Sequence, residues 1–222
     1  VSDLETYSPY IEREFSIREI PFSIREGHPL SKTGAGSFFA QIRDCYDTNF
    51  SFDSIKHLLL NNQLPWINPA ANTELIEFGK NNNCLCSFEY NGKKHDVWED
   101  AFRKFNPKKE APTELIKNLY GMLKEKLVPL ANAKTFAQVK KAYFAFKEKF
   151  FDAQKFTVQA DSIISRCISE LEALVKLEEQ FPDCTVPCAF NFFNDYLETV
   201  RYIPQGNSNG VTVYPYRPAS TA

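Results

Sequence analysis

Residues 7–66 decide the fold: YSPYIEREFSIREIPFSIREGHPL (7–30), a small-residue turn, then FFAQIRDCY (38–46), FSFDSIKHLLL (50–60) and LPW (64–66). The first part reads as a surface helix, with Glu12, Arg13, Glu14 and Arg18 as its wet face, and Ser8-Pro9 beginning or kinking it, since proline is tolerated in a first turn. It runs into a short edge strand in which Ile20, Phe22 and Ile24 fall at period two. Gly27 to Pro29 ends that strand. Two short amphipathic helices follow, one carrying Phe38, Phe39, Ile42 and Tyr46, the other Ile55, Leu58, Leu59 and Leu60. A single strand leaves its N–H and C=O groups unpaired, so partners must come from elsewhere.

The rest of the chain supplies one. Gln205 to Gly210 is rich in turn residues, and Val211-Thr212-Val213-Tyr214-Pro215-Tyr216 after it alternates like a strand. Nearly everything between reads as helix. Ser51 or Asp53 caps the second amphipathic helix, and Leu64-Pro65-Trp66 crosses back as an apolar clip. Asn72 to Gly79 is a short helix that Gly79 stops. Cys84 to Tyr90 alternates before Asn91-Gly92, a hairpin signal, so a minor hairpin is expected over 84–97. Trp98, Phe102 and Phe105 lie at helical spacing, and PKKEAP (107–112) is the best internal boundary. Beyond it come a helix from Thr113 to near Pro129, one opened by Thr135, a long one over 160–180, and one carrying Phe190, Phe193, Leu197 and Val200. Each bears an apolar stripe wide enough for bundle packing.

The expected fold is therefore mainly α. A helical block (31–203) is inserted between two short terminal strands that pair in a small sheet. Residues 1–30 and 204–222 are what remains of an α/β host domain. Both ends fall in one small sheet, so the chain reads as a piece cut from a longer polypeptide.

Composition excludes several classes. The 222 residues are 43% hydrophobic and 24% charged, ordinary for a globular protein. No apolar run approaches the roughly 20 residues of a membrane span, and residues 1–10 lack the features of a signal peptide. Six cysteines are too sparse for a disulfide scaffold, and Cys84, Cys86, Cys184 and Cys188 with His95 match no standard zinc finger. Reduced thiols in a cytoplasmic protein are expected, with no metal and no cofactor. Lys32-Thr33-Gly34-Ala35-Gly36 lacks the order of a phosphate-binding loop. The three histidines are isolated, Glu12 and Glu14 diverge on their helix, and no two-metal carboxylate set is evident, so no catalytic residue is assigned.

Charge is uneven. Residues 93–155 hold 15 Lys+Arg against 8 Asp+Glu, an excess of +7, although the whole chain carries −2. A basic middle is suited to a phosphate backbone, and equally to solvated helix faces. The candidate nucleic-acid contacts are Lys93, Lys94, Arg103, Lys104, Lys108, Lys109, Lys140 and Lys141. Trp98, Phe102 and Phe105 lie beside the densest cluster, at core spacing.

The 7–66 pattern resembles the second motor domain of superfamily I DNA helicases of the UvrD and AddAB/RecBCD type. The resemblance lies in Glu19-Ile20-Pro21-Phe22-Ser23-Ile24-Arg25-Glu26-Gly27-His28-Pro29-Leu30, which follows a helix, and in Phe50-Ser51-Phe52-Asp53-Ser54-Ile55-Lys56-His57-Leu58-Leu59. It covers about 60 residues, and more loosely the segment from Gly210 to Thr221. In those helicases a large helical insertion, the 2B-type domain, leads into such a strand. The final strand departs from the family. Tyr216, Pro218, Ala219 and Ser220 stand where active relatives carry the Thr/His and Lys-Gly-x-Glu chemistry that couples nucleotide to DNA, and Pro215 and Pro218 lack N–H donors. The resemblance thus implies an inactivated arm of a DNA repair helicase–nuclease. Such an arm would be a non-catalytic accessory region that positions duplex or forked DNA or braces other subunits. The parent would be an ATP-dependent helicase or exonuclease subunit. A helical protein-interaction scaffold with no nucleic-acid role is the alternative.

Overall fold

A computed structural model describes residues 4–25, 27–103, 114–203 and 210–214. Helix α1 (Leu4–Ile17) contains Pro9 and ends in a left-handed turn at Glu19, where φ is 54°. Strand β1 is Phe22–Ile24, starting two residues later than the alternation suggests, because the turn at Glu19 and the donor-less Pro21 occupy the approach. Strand β2 is His28–Pro29. A 3-10 turn over Leu30–Lys32 leads into α2 (Ser37–Asp47), followed by α3 (Phe52–Leu59) and α4 (Pro69–Asn81). Strands β3 (Phe88–Tyr90) and β4 (Lys93–His95) form the hairpin, and α5 is Val97–Arg103. Helices α6 (Glu114–Ala131), α7 (Phe136–Phe150), α8 (Val158–Gln180) and α9 (Ala189–Thr199) follow. Strands β5 (Arg201–Tyr202) and β6 (Val211–Val213) close the chain.

The fold is mainly helical, and the two terminal strands do pair. β1 and β6 run parallel, with Phe22, Ser23 and Ile24 opposite Val211, Thr212 and Val213. Below them β2 and β5 run antiparallel, placing His28 opposite Tyr202 and Pro29 opposite Arg201. Leu30 N–H extends this neck by donating to the Val200 carbonyl at 2.9 Å. The hairpin β3·β4 forms over Asn91 and Gly92, both at positive φ (52° and 71°), as a type I′ turn requires.

Local chemistry sets the helix starts. Ser51 caps α3 by accepting from Ser54 N–H, Asn68 caps α4, Thr135 caps α7 and Thr157 caps α8. Several expected details differ. Helix α4 passes through Gly79, whose bare Cα is the seat of the Trp98 ring; a Cβ there would lie 2.2 Å from it. Helix α6 continues two residues past Pro129. Leu60 sits at the end of α3 and faces outward rather than into the core. The expected boundary at 107–112, and the expected start of a helix at Thr113, lie outside the described residues.

Helices α2, α6 and α7 form the middle of the bundle. On one side α3 and α4 pack against α2 and α6; on the other α8 and α9 pack against α7 and α2. Aromatic rings fill the centre. Phe38 of α2 meets Phe39, Tyr143, Phe146 and Phe151 at centroid distances of 5.1–6.0 Å. Trp66 closes the same cluster against Phe146, Phe150 and Phe151, and its backbone bridges to Phe151. Edge-to-face contacts of this kind add about 0.5–1.5 kcal/mol per pair beyond burial.

None of the six cysteines is joined in a disulfide. Burial pushes the Cys45 and Cys167 thiols up to about 12, so neither forms thiolate at neutral pH. Cys84 is buried, whereas Cys86 and Cys184 are exposed. A thiol reagent at neutral pH should modify Cys86 and Cys184 promptly, and Cys45, Cys84 and Cys167 only in denaturant. Peptide mapping of the alkylated protein checks this, and rapid labelling of Cys45 in the native state would contradict the packing.

Candidate functional site

A groove of about 530 Å³ with convergent polar groups lies between the hairpin, the α2–α3 turn and α6. Tyr46, Phe50, Phe88, His95, Asp96 and Lys124 line it. Its floor is an ion-paired network centred on Asp96. Asp96 accepts the N–H groups of Trp98 and Glu99 at 3.0 and 3.1 Å, which starts α5. The Tyr120 hydroxyl donates to the same carboxylate, 2.9 Å from both oxygens. Lys124 Nζ lies 2.5 Å from Asp96 and 2.9 Å from Glu99, and 5.5 Å from the centre of the Tyr120 ring.

This electrostatic arrangement favours structure over chemistry. Burial, reinforced by the facing Asp96 carboxylate, holds the Tyr120 phenol well above its usual range. Burial opposes the charge on Lys124, but its bonds to Asp96 and Glu99 outweigh that, so its pKa is raised and it stays a cation. A permanently charged lysine is neither nucleophile nor base at neutral pH. His95 stacks on Phe88 at 5.2 Å and lies 3.7 Å from Asp100. Among the described residues, no three or more His, Cys, Asp or Glu side chains converge as a metal site.

One wall of the groove is strained. Asn49 and Phe50 both adopt positive φ, 50° and 59°, a conformation that is rare for a bulky side chain. The strain is held from both sides. Phe50 N–H donates to the Cys45 carbonyl at 2.7 Å, and its own carbonyl receives Trp98 Nε1–H at 2.9 Å.

Of the eight basic residues singled out above, Lys93, Lys94, Arg103, Lys140 and Lys141 lie among the described residues. Lys93 and Lys94 lie in β4, opposite Tyr90 and Glu89. Arg103 ends α5 and pairs with Glu99 at 3.1 Å. Lys104, Lys108, Lys109 and Phe105 lie outside the described residues. Lys140 on α7 is tied to Glu172 of α8 at 2.7 Å, while Lys141 beside it is exposed. Trp98 is fully buried and Phe102 stacks on Phe78 at 4.9 Å, so these rings serve the core. The Asp96–Lys124–Tyr120 network was missed, yet Asp96-Val97-Trp98-Glu99 has the spacing of a capping box, and that pattern was its one signal.

Among the described residues, no helix is long and apolar enough to cross a membrane. Comparison with other proteins gives a relative in Treponema pallidum (strain Nichols) named "Uncharacterized protein". It is 27% identical over 243 aligned positions, covering 100% of this chain and 30% of the relative. A family profile matches residues 31–203, the whole block from the turn after β2 to the residue after β5. The chain thus belongs to the family described as the Treponema TP0900 fourth helical domain.

Proposed function

We propose that this chain is a non-catalytic helical accessory region of a DNA repair and recombination helicase–nuclease, positioning duplex or forked DNA for the rest of a longer protein. One observation carries the reading. Strand β1 (Phe22–Ile24), within the helicase-like 19–30 segment, pairs in parallel with β6 (Val211–Val213), and the helical block lies between them in the chain. That is the arrangement the sequence resemblance implies for a 2B-type insertion. The reading places the protein in the cytoplasm.

The contacts to DNA fall to Lys93, Lys94, Lys104, Lys108, Lys109 and Lys141. Arg103 and Lys140 are already neutralised by carboxylates, so they contribute only if those pairs open. Fluorescence polarisation of a labelled fork, titrated at low and rising salt, tests the proposal. Binding should weaken linearly on a log–log scale, with a slope of about −0.9 per phosphate contact. Lys141→Glu should reduce the magnitude of that slope by about 1. Absence of binding at low salt ends the DNA role.

The second reading, a protein-interaction scaffold, has one observation of its own. Leu177 and Phe181 are four residues apart at the end of α8, and with Phe192 of α9 all three are about half exposed. A fork that fails to bind leaves this reading in place.

A further inference from the structure

Among the described residues, the pair β1·β6 is short of partners in a definite direction. Its inter-strand bonds include Val211 N–H to the Pro21 carbonyl at 2.8 Å and Arg25 N–H to the Val213 carbonyl at 2.9 Å. In an extended chain successive residues aim their N–H and C=O groups to opposite sides. Residues 21, 23 and 25 therefore face β6, and Phe22 and Ile24 face away from it. By the same alternation Thr212 and Tyr214 face away from β1. No described residue receives the groups of these four.

The faces are as incomplete as the edges. Phe15 of α1 packs edge-on against Phe22 at 5.3 Å and covers part of one face. Val211 and Tyr214 remain about half exposed, and on α1 Tyr10 and Ile17 are 65% exposed. Parallel strands normally lie inside sheets covered on both faces, and two isolated strands are marginal in water.

We infer that β1·β6 is the interior of a larger parallel sheet, and that its free edges take β-strands from polypeptide of the same protein outside residues 1–222. The occupant follows from three observations. Unfilled main-chain donors and acceptors, alternating at strand spacing, are matched by another extended strand and by no helix. The parallel sense favours parallel neighbours, because purely parallel sheets are over-represented; a second copy docking about a two-fold axis would add its strand antiparallel. The Treponema pallidum relative supplies the material, since this chain accounts for only 30% of its length. The inference deepens the host-domain part of the reading above, but it rests on main-chain geometry and stands whether or not the chain meets DNA.

Amide hydrogen exchange by mass spectrometry tests it, on this 222-residue chain and on the full-length Treponema pallidum relative over the aligned segments. In this chain the amides of residues 22–25 and 211–214 should exchange at least about 100-fold faster than those of α2 and α7. In the full-length relative they should be protected to the level of its helices. Protection equal to α2 in the 222-residue chain at every concentration overturns the inference, because the pair is then self-sufficient. So does rapid exchange in the full-length relative. Protection that rises with concentration, together with a dimer mass in light scattering, assigns the edge to a second copy and overturns it as well. The fork titration is a separate measurement, so the two ideas fail independently.

Discussion

Trp98→Ala should lower the unfolding free energy by about 3–5 kcal/mol, the largest global effect of any single truncation named here. The ring is fully buried. It stacks on Tyr120 at 5.5 Å and on Phe52 at 6.4 Å, and it fills the space that Gly79 leaves on α4. Removing it opens a cavity where α3, α4, α5 and α6 meet, and nearby side chains are themselves locked in stacks. The indole also has a second role. Its N–H occupies the carbonyl of Phe50, a residue held at positive φ. Trp98→Phe retains most of the apolar burial but leaves that carbonyl unpaired, which costs about 1–3 kcal/mol. Urea unfolding followed by far-UV circular dichroism measures both. A loss below about 1 kcal/mol for Trp98→Ala would mean the four helices do not close on this ring.

That one residue shows how much of the fold was legible. Trp98 and Phe102 announce a buried helix face by their spacing, and Ser51 and Thr135 announce helix starts by their side-chain chemistry. The role of Gly79 is invisible locally. A glycine late in a helix reads as a stop, and only the arrival of Trp98 from nineteen residues away shows that it is a seat. The sheet was half legible for a similar reason. Period-two alternation marks 20–24 and 211–216 as strands but carries no direction, so their parallel sense had to come from the structure. The two-residue strands at 28–29 and 201–202 are too short to show any period.

The candidate site was less legible still. Lysine content is plain in a sequence, but which lysines are spent is not. The Glu99–Arg103 pair lies at i,i+4 and could be read off a helix. The Lys140–Glu172 pair joins two helices across 32 residues and could not. Even so, solvent-exposed pairs of this kind contribute only tenths of a kcal/mol, so they narrow the basic surface without fixing the fold.

Gly210→Ala should produce the largest local effect. A Cβ at residue 210 would sit 2.0 Å from the Pro21 carbonyl oxygen and 2.4 Å from its carbon. Both are backbone atoms, so no side-chain rotation relieves the clash; β6 must lift away from β1. The expected result is loss of the parallel pair with the helical block intact. The amides of 211–213 should lose their remaining protection, while the urea midpoint, set by the bundle, shifts little. A protected β6 in Gly210→Ala would show that the strand can be re-seated beside Pro21. A large drop in the midpoint would show that the bundle leans on the small sheet.

The neck at β2·β5 has a consequence for how such a module is inherited and engineered. Ser23 and Thr212 lie side by side although 189 positions apart in the chain. For a floppy loop of that length, closure would cost about 5 kcal/mol of entropy. Here the outgoing and returning strands are already clasped at His28–Tyr202 and Pro29–Arg201. Among the described residues, this clasp forms the waist at which the chain enters and leaves the cassette. Excising residues 30–200 and joining the stubs with a tight turn should leave the recipient sheet unaware of the loss, and the same waist would let the cassette be grafted into an unrelated scaffold.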